Sequence, residues 1–198
     1  MKRDRRSEIL DISKQLFNER GFNAVSIRDI ANHLGISSGN LTYYFNKKEE
    51  IMEALIDENS DESWTKPIEK LDELDAFFIH IQQVVQDNAF YFWHHAQLSQ
   101  LSSKIRKKQE DRYDYNVKIL KECLNKLKSE RLIRAEKFIH EYDRVIDTLL
   151  ISSIYWIPFS NIKGLNYTQE SYRNHAWSIM YNLLTDKGRN ELSKIIDN

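Results

Sequence analysis

The sequence predicts an all-α protein, with an N-terminal three-helix helix-turn-helix domain followed by a C-terminal helical bundle. Only five glycines and two prolines occur in 198 residues, and three of the glycines lie within the first 39. Because glycine and proline are the strongest breakers of regular structure, the remainder favours long helices. Apolar residues recur there at helical spacing, and no alternating pattern indicates paired strands. We expect the domain boundary between residues 48 and 49, giving domains 1–48 and 49–198.

The helix-turn-helix is predicted at residues 26–45. Ser26 and Ser37 each precede a short helical stretch, and serine is a favoured N-cap residue. Gly35 lies between the stretches, where a left-handed residue would end the first helix. The apolar positions repeat at helical spacing in both stretches: Ile27, Ile30, Ala31 and Leu34 in the first, and Leu41, Tyr44 and Phe45 in the second. In such a unit the second helix enters the major groove of DNA.

The outward positions of that second helix are small or hydroxyl-bearing. If Leu41 and Phe45 point inward, Ser38, Gly39, Thr42 and Tyr43 point outward. Lys47 and Lys48 follow, at the start of a third helix, where a docked phosphate would pair with both the lysines and the free backbone N–H groups. The alternative is that these lysines are ordinary solvated side chains on a small helical unit.

Charge is distributed unevenly along the chain. Residues 1–48 carry nine Lys or Arg and five Asp or Glu, whereas the whole chain has a net charge of −1. A basic end joined to an acidic body suits one nucleic-acid-binding face. No apolar run follows the basic N-terminus, so no signal peptide is predicted, and no membrane span is expected. The single Cys123 cannot form an internal disulfide, which is consistent with a cytoplasmic protein.

Residues 7–51 resemble the N-terminal DNA-binding domain of TetR/AcrR-type transcriptional regulators. The resemblance is carried by many spaced positions: Ile9, Leu16, Phe17, Gly21-Phe22, Ser26-Ile27-Arg28-Asp29-Ile30-Ala31, Leu34-Gly35-Ile36-Ser37, Gly39-Asn40-Leu41, Tyr44-Phe45 and Lys48-Glu49-Glu50-Ile51. Two positions depart from the family pattern. Thr42 stands where the family usually has Tyr, and Ser26 where it often has Thr. Both departures keep a hydroxyl, although Thr42 has the shorter reach, so Tyr43 is expected to take over part of its role.

The resemblance implies a set of DNA-contacting residues. The family's base-reading positions correspond to Arg28, Ser38, Asn40 and Tyr43. Its phosphate-holding positions correspond to Ser26, Ser37, Thr42, Tyr44 and Lys48. Gly39 completes the expected interface, because a residue without a side chain allows the backbone to approach a phosphate.

Coarse helices can be placed along the rest of the chain. We expect helices from Lys47 towards Trp64, from Leu71 to His94, and from Tyr113 to Leu127, with a short helix around Leu98 and Leu101. A strongly apolar helix is predicted from Phe138 to Ile157, stopped by Pro158. Thr168 is expected to cap the next helix, which runs to Leu184, and a last helix spans Gly188–Ile196.

The two late helices carry more apolar surface than one small body needs, which favours a subunit interface. Predicted interface residues are Val145, Leu149, Ile154, Tyr172, Ile179, Met180 and Leu183. The resemblance likewise implies a homodimer in which two such helices from each subunit form a four-helix bundle. The alternative is a thick monomer core.

The middle helices are rich in aromatic residues, which favours an apolar cavity for a small molecule. As lining residues the sequence suggests Phe78, Phe92, Trp93, Tyr113, Tyr155 and Trp156, although core packing is the alternative for each of them. The resemblance implies that an effector bound there shifts the protein towards a conformation that releases DNA.

No catalytic residue, cofactor site or metal site is predicted. His94 and His95 are adjacent, so on a helix they point about 100° apart and do not readily share a metal. Neither a paired-cysteine motif nor a nucleophile elbow nor a phosphate loop occurs. We therefore expect a homodimeric, cytoplasmic repressor that binds a double-stranded DNA operator and is released by a small molecule. The alternatives are a helix-turn-helix-shaped protein-interaction module without an effector and, more remotely, a helical enzyme.

Overall fold

A computed structural model describes residues 4–58, 64–165 and 171–196. Within these ranges the chain is all-α, and β-type pairing is limited to an isolated antiparallel bridge between Ile133 and Leu184. The helices are α1 Arg5–Arg20, α2 Ile27–His33, α3 Ser38–Tyr44, α4 Lys48–Glu58, α5 Leu71–Asp87, α6 Ala89–Trp93, α7 His95–Leu101, α8 Ser103–Ser129, α9 Glu141–Ile162, α10 Tyr172–Met180 and α11 Asp186–Ile196. The predicted fold class is confirmed.

The first compact unit comprises residues 1–63 and 88–109. Its core is built around Phe17, whose ring meets the edge of Phe22 at 5.3 Å between ring centroids. Helix α4 belongs to this core, because Ile51, Met52 and Leu55 are buried in the same cluster as the side chains of α1–α3. The expected boundary at residue 48 therefore differs from the compact units, which keep α4 with the helix-turn-helix and add residues 88–109.

The second compact unit comprises residues 64–87 and 110–198. Helix α10 packs against α5 and α9, and α11 packs against α5. The buried carboxylate of Asp75 accepts hydrogen bonds from Arg173 and from the indole N–H of Trp177. Helix α8 is continuous through both units, contributing residues 103–109 to the first and 110–129 to the second.

Several predicted helix ends were wrong. The helix expected from Leu71 to His94 ends at Asp87, because the buried Asn88 has a non-helical backbone conformation, and two short helices follow. The helix expected between Tyr113 and Leu127 is longer and begins at Ser103.

Pro158 does not stop helix α9, which continues for one further turn to Ile162. Proline removes one backbone hydrogen bond, yet the turn beyond it ends regularly, since the Lys163 N–H donates to the Phe159 carbonyl at 3.1 Å. The predicted cap Thr168 lies outside the described residues. Helix α10 instead begins at Tyr172, where the hydroxyl of Ser171 accepts a hydrogen bond from the Asn174 N–H.

By length and composition alone, α9 is long and apolar enough to cross a membrane, whereas the sequence predicted no such segment. The core helix of a soluble protein passes the same test of length and composition. Ile146, Leu149 and Ile157 on α9 are buried inside the second unit. Helix α9 thus has one face buried in the second unit and another face exposed to solvent.

Candidate nucleic-acid interface

Helix α2 is fixed at its start by a complete capping box. The Ser26 hydroxyl accepts a hydrogen bond from the Asp29 N–H at 3.2 Å, and the Asp29 carboxylate accepts from the Ser26 N–H at 2.8 Å. The Ser26 hydroxyl also donates to that carboxylate, at 2.5 Å. These hydrogen bonds hold the pKa of Asp29 below its usual value. Reciprocal capping of this kind satisfies backbone donors that the helix itself leaves unpaired.

A tight turn leads from α2 into α3. Gly35 adopts φ +64°, a left-handed conformation that L side chains rarely adopt. Ser37 then caps α3 by accepting from the Asn40 N–H at 3.1 Å, and Leu41 is completely buried on the inner face of the helix. The helix-turn-helix predicted at residues 26–45 is therefore present, with the expected caps.

Helix α3 presents an aromatic projection to solvent. Tyr43 is 84% exposed, and its ring meets the ring of Tyr44 edge-on at 5.2 Å between centroids. Removing a large aromatic side chain from water is favourable, so the exposed ring of Tyr43 is available to contact a partner surface. The α3 sequence carries no charged residue.

The predicted base-reading side chains remain available. Arg28, Ser38, Asn40 and Tyr43 are all exposed, and none of their side chains has a hydrogen-bond partner among the described residues. Gly39, in the first turn of α3, is equally open: a Cβ built there would meet only the Ser37 hydroxyl, at 3.9 Å.

Most of the predicted phosphate-holding side chains are instead engaged within the protein. Ser26 is committed to the capping box, and the Thr42 hydroxyl donates to the Gly39 carbonyl at 3.1 Å. Ser37 uses its oxygen as a cap acceptor and keeps its proton available. Tyr44 is partly exposed.

Lys48 is also engaged. Its ammonium donates to the carbonyl oxygens of Phe22, at 2.6 Å, and Val25, at 2.8 Å. It lies 4.3 Å from the centre of the Phe22 ring, a cation–π distance. Partial burial lowers the pKa of Lys48 below its usual value. Sequence reasoning missed these contacts, because they join residues more than twenty positions apart.

The predicted effector residues do not form one group. Phe92 and Trp93 lie on α6 in the first unit, whereas the other four lie in the second. Phe78 and Trp156 are buried, while Tyr113 and Tyr155 are about half exposed. The Trp156 indole N–H and the nearby Ser160 hydroxyl are buried and have no hydrogen-bond partner among the described residues.

The predicted interface residues lie mainly in the core of the second unit. Leu149, Tyr172, Met180 and Leu183 are buried there, and Val145, Ile154 and Ile179 are partly buried.

A different face of α9 is exposed and apolar. We call it the α9 stripe, and it consists of Ile151, Tyr155, Phe159 and Ile162. Spacings of four, four and three residues along the helix could have revealed it in the sequence.

Comparison with known proteins finds a family match for the N-terminal part of the chain. Residues 9–55 match the sequence profile of the tetR family of bacterial regulatory proteins. This match covers 47 of the 198 residues. This range contains α2 and α3 in full and most of α1 and α4, so the family profile covers the interface described above.

The curated relatives that match part of this chain are named transcriptional repressors or regulators. The HTH-type transcriptional repressor KstR2 of Rhodococcus jostii (strain RHA1) is 46% identical over 55 residues, which is 28% of this chain and 27% of that protein. The chain thus spans about a quarter of the length of the curated relatives it matches.

Two solved structures share the fold over nearly the whole chain. A TetR-family transcriptional regulator from Marinobacter aquaeolei VT8 superposes with a TM-score of 0.86 at 19% identity, covering 98% of each chain. The ketosteroid transcriptional regulator KstR2 of Mycobacterium tuberculosis gives 0.65 at 20% identity, covering 94% of this chain and 98% of the other. At these identities the likeness shows the fold alone.

Proposed function

We propose that this chain is a sequence-specific DNA-binding transcriptional repressor, that it acts as a cytoplasmic homodimer, and that a small-molecule effector releases it from its operator. One observation carries the DNA-binding part. Four exposed side chains on and beside α3 have polar groups without a hydrogen-bond partner among the described residues: Arg28, Ser38, Asn40 and Tyr43. Arginine and asparagine match the hydrogen-bond patterns of guanine and adenine in the major groove, and apolar side-chain surface can contact the thymine methyl group.

The first experiment selects duplexes from a random-sequence pool with the purified protein and measures affinity by mobility shift. Asn40→Ala and Tyr43→Ala should each weaken binding to the selected duplex about tenfold, because each removes a base-reading group. Gln100→Ala, an exposed position on α7, is the matched control and should leave affinity unchanged. Recovery of no duplex even at about 50 mM salt would overturn the proposal. Capture of a partner protein in place of DNA would favour the interaction-module alternative.

The homodimer rests on the α9 stripe. Ile151 and Phe159 are 59% and 50% exposed, and Ile162 is 81% exposed. Contiguous apolar surface along one helix face is costly in water and is a mark of protein interfaces. A second copy of the chain is the partner we propose, since a two-fold axis would place the same stripe on both sides and present two α3 helices to one operator.

Sedimentation equilibrium tests this assignment. Phe159→Glu should convert the dimer to a monomer, because it places a charge in the apolar contact. Ile79→Glu, at an exposed isoleucine on α5 that is 49% accessible, is the control and should stay dimeric. A monomeric wild-type chain, or a dimeric Phe159 variant, would refute the assignment.

The effector part rests on Trp156 and Ser160, whose polar groups find no partner in the part of the chain that the structure describes. The two residues lie four positions apart and so on one face of α9. A buried donor without a partner costs free energy that a ligand could recover. Because an indole N–H only donates, it requires a hydrogen-bond acceptor. We therefore propose an uncharged, largely apolar effector that carries a carbonyl or hydroxyl oxygen.

A mobility-shift screen tests the effector proposal. Apolar ketones and alcohols are added to the protein–DNA complex, with a ketosteroid among them because one structural neighbour is named a ketosteroid regulator. A releasing compound should lose potency against Trp156→Phe, while DNA affinity without the compound stays unchanged. Equal potency against both proteins would exclude Trp156 as an anchor.

A further inference from the structure

We propose that a group of ion pairs between α4 and α8 positions α4 for DNA binding. The group consists of Glu53 and Asp57 on α4 and Lys104 and Lys108 on α8, and we call it the α4–α8 ion-pair cluster. All four side chains belong to the first compact unit. The inference deepens the proposed DNA-binding function, and the second of its two tests rests on that function.

The four charged side chains form one connected network. The Lys104 ammonium donates to Asp57 Oδ2 at 2.9 Å and lies 3.9 Å from Glu53 Oε2. Lys108 pairs with the other carboxylate oxygen of Asp57. Because Lys104 contacts both acids and Asp57 contacts both lysines, displacement of one member disturbs the others.

A hydrogen bond joins this network to the start of α8. The Ser102 hydroxyl donates to Glu53 Oε1 at 2.5 Å and accepts from the Ile105 N–H at 3.3 Å. Ser102 therefore acts as the N-cap of α8 while it binds α4. Glu53 is thus attached both to the residue that begins α8 and, through Lys104, to the first turn of that helix.

The α4–α8 ion-pair cluster explains an unfavourable charge distribution in both helices. The last described turn of α4 contains Asp57 and has no basic residue, whereas the first turn of α8 contains Lys104 and has no acidic residue. A helix dipole disfavours both arrangements, because it favours cations near the C-terminus and anions near the N-terminus. Each helix supplies the charge that the end of the other helix lacks.

Apolar packing alone does not fix α4 along its axis. Ile51, Met52 and Leu55 attach one face of α4 to the core, but apolar contacts are not directional. Complementary charges do fix the register of two surfaces. Helix α4 begins with Lys48, where the sequence predicts a contact with the DNA backbone. A shift of α4 along its axis would move this contact away from the phosphate.

The first test measures hydrogen–deuterium exchange of residues 48–58 without DNA. The α4 double variant, Glu53→Lys with Asp57→Lys, turns the ion pairs into like-charge contacts, so the α4 amides should exchange about fivefold faster. The fourfold variant, which adds Lys104→Glu and Lys108→Glu, restores opposite charges and should exchange at the wild-type rate. Unchanged exchange in the α4 double variant would overturn the proposal.

Two acids of α1 provide a control with the same change of charge. Glu8 pairs with Arg5 and Glu19 accepts from Gln15, so these hydrogen bonds lie within α1 itself. Glu8→Lys with Glu19→Lys should leave the exchange of α4 unchanged. Equal acceleration by the α1 control would show that added positive charge, and not loss of the ion pairs, loosens α4.

The second test measures affinity for the selected duplex by mobility shift, well below the melting temperature of each variant. The α4 double variant gains positive charge, which by itself would tighten DNA binding. We expect it to bind about tenfold more weakly nonetheless, because α4 is no longer held in place. The α1 control should bind at least as tightly as the wild type, and the fourfold variant should recover wild-type affinity.

A milder variant keeps the proposal falsifiable if the α4 double variant does not fold. Asp57→Asn has nearly the same shape and should weaken binding about threefold, although it too removes a negative charge. Folded variants that bind as tightly as the α1 control would show that the α4–α8 ion-pair cluster only stabilises the unit, and would overturn the proposal. If the wild type binds no duplex, the proposed function fails, whereas the exchange test still decides whether the cluster holds α4.

Discussion

Arg173 on α10 and Asp75 on α5 meet in a two-pronged ion pair. The Arg173 Nε donates to Asp75 Oδ1 at 2.6 Å, and Nη2 donates to Oδ2 at 3.0 Å. The Trp177 indole N–H adds a third donor to the same carboxylate at 2.7 Å. Planar, charge-assisted pairs of this kind fix the relative orientation of the two helices.

Breaking this pair should destabilise the second unit strongly. Arg173→Met leaves the buried carboxylate with only the indole donor, so we expect a loss of about 3–5 kcal/mol in the free energy of unfolding, measured by urea denaturation. Arg189→Met, which breaks an exposed ion pair with Asp186 on α11, is the control and should cost about 0–1 kcal/mol. The double variant with Asp75→Asn should lose less than the sum of the single losses. Equal effects of the Arg173 and Arg189 variants would show that the buried pair has no special role.

Gly39→Ala should separate stability from DNA binding. A Cβ at this position has open space around it, and alanine is the better helix former, so the unfolding free energy should rise by about 0.5–1 kcal/mol. Affinity for the selected duplex should fall nonetheless. The added methyl group would keep the α3 backbone away from the DNA phosphate that Gly39 is expected to approach. Circular dichroism melts and mobility shift on the same sample check both effects. Unchanged affinity would remove Gly39 from the interface.

Gly188→Ala should have the opposite effect on stability. A Cβ at this position of α11 would lie 2.1 Å from the Leu132 carbonyl oxygen, an overlap with backbone that no side-chain rotation relieves. We expect a loss of about 1–3 kcal/mol or more in the unfolding free energy. Asn190→Ala, at an exposed position of the same helix, should be neutral or slightly stabilising. A neutral Gly188 variant would mean that α11 can shift without cost.

His95 should make the first unit less stable in mild acid. Burial lowers the pKa of His95 from 6.5 to about 4. The His95 side chain therefore becomes protonated near pH 6.5 in the unfolded chain but only near pH 4 in the folded chain. The free energy of unfolding falls as the pH drops from 6.5 to 4, because the unfolded state binds more protons in this range. The melting temperature of the wild type should decrease between pH 7 and pH 5 by more than that of His95→Phe. Parallel pH profiles for the two proteins would refute this account.

The local parts of the helix-turn-helix were predictable from the sequence. Ser26, Gly35 and Ser37 act within three or four residues of their own positions, so their capping and turn roles follow from residue type and spacing. The exposed positions of α3 follow from the same spacing, because burying Leu41 forces Tyr43 outward.

Which helix faces are buried in the second unit was less predictable. Periodicity indicated that α9 and α10 are apolar, but not which of their faces the second unit itself would cover. Met180 and Leu183 proved to be core residues, while Ile151 and Phe159 remained exposed. The choice between these faces depends on where α5 and α10 pack, and that information is spread over the whole chain.

The sequence by itself determined that this chain is helical, that residues 26–45 form a capped helix-turn-helix, and that Ser38, Gly39 and Tyr43 face outward. Helix periodicity and capping act over one or two turns, and a sequence records them directly. Only the tertiary structure decided that the Lys48 ammonium turns inward to Phe22 and Val25, and that Arg173 finds Asp75. Such contacts join residues that are distant along the chain, and they form only once packing has brought their helices together.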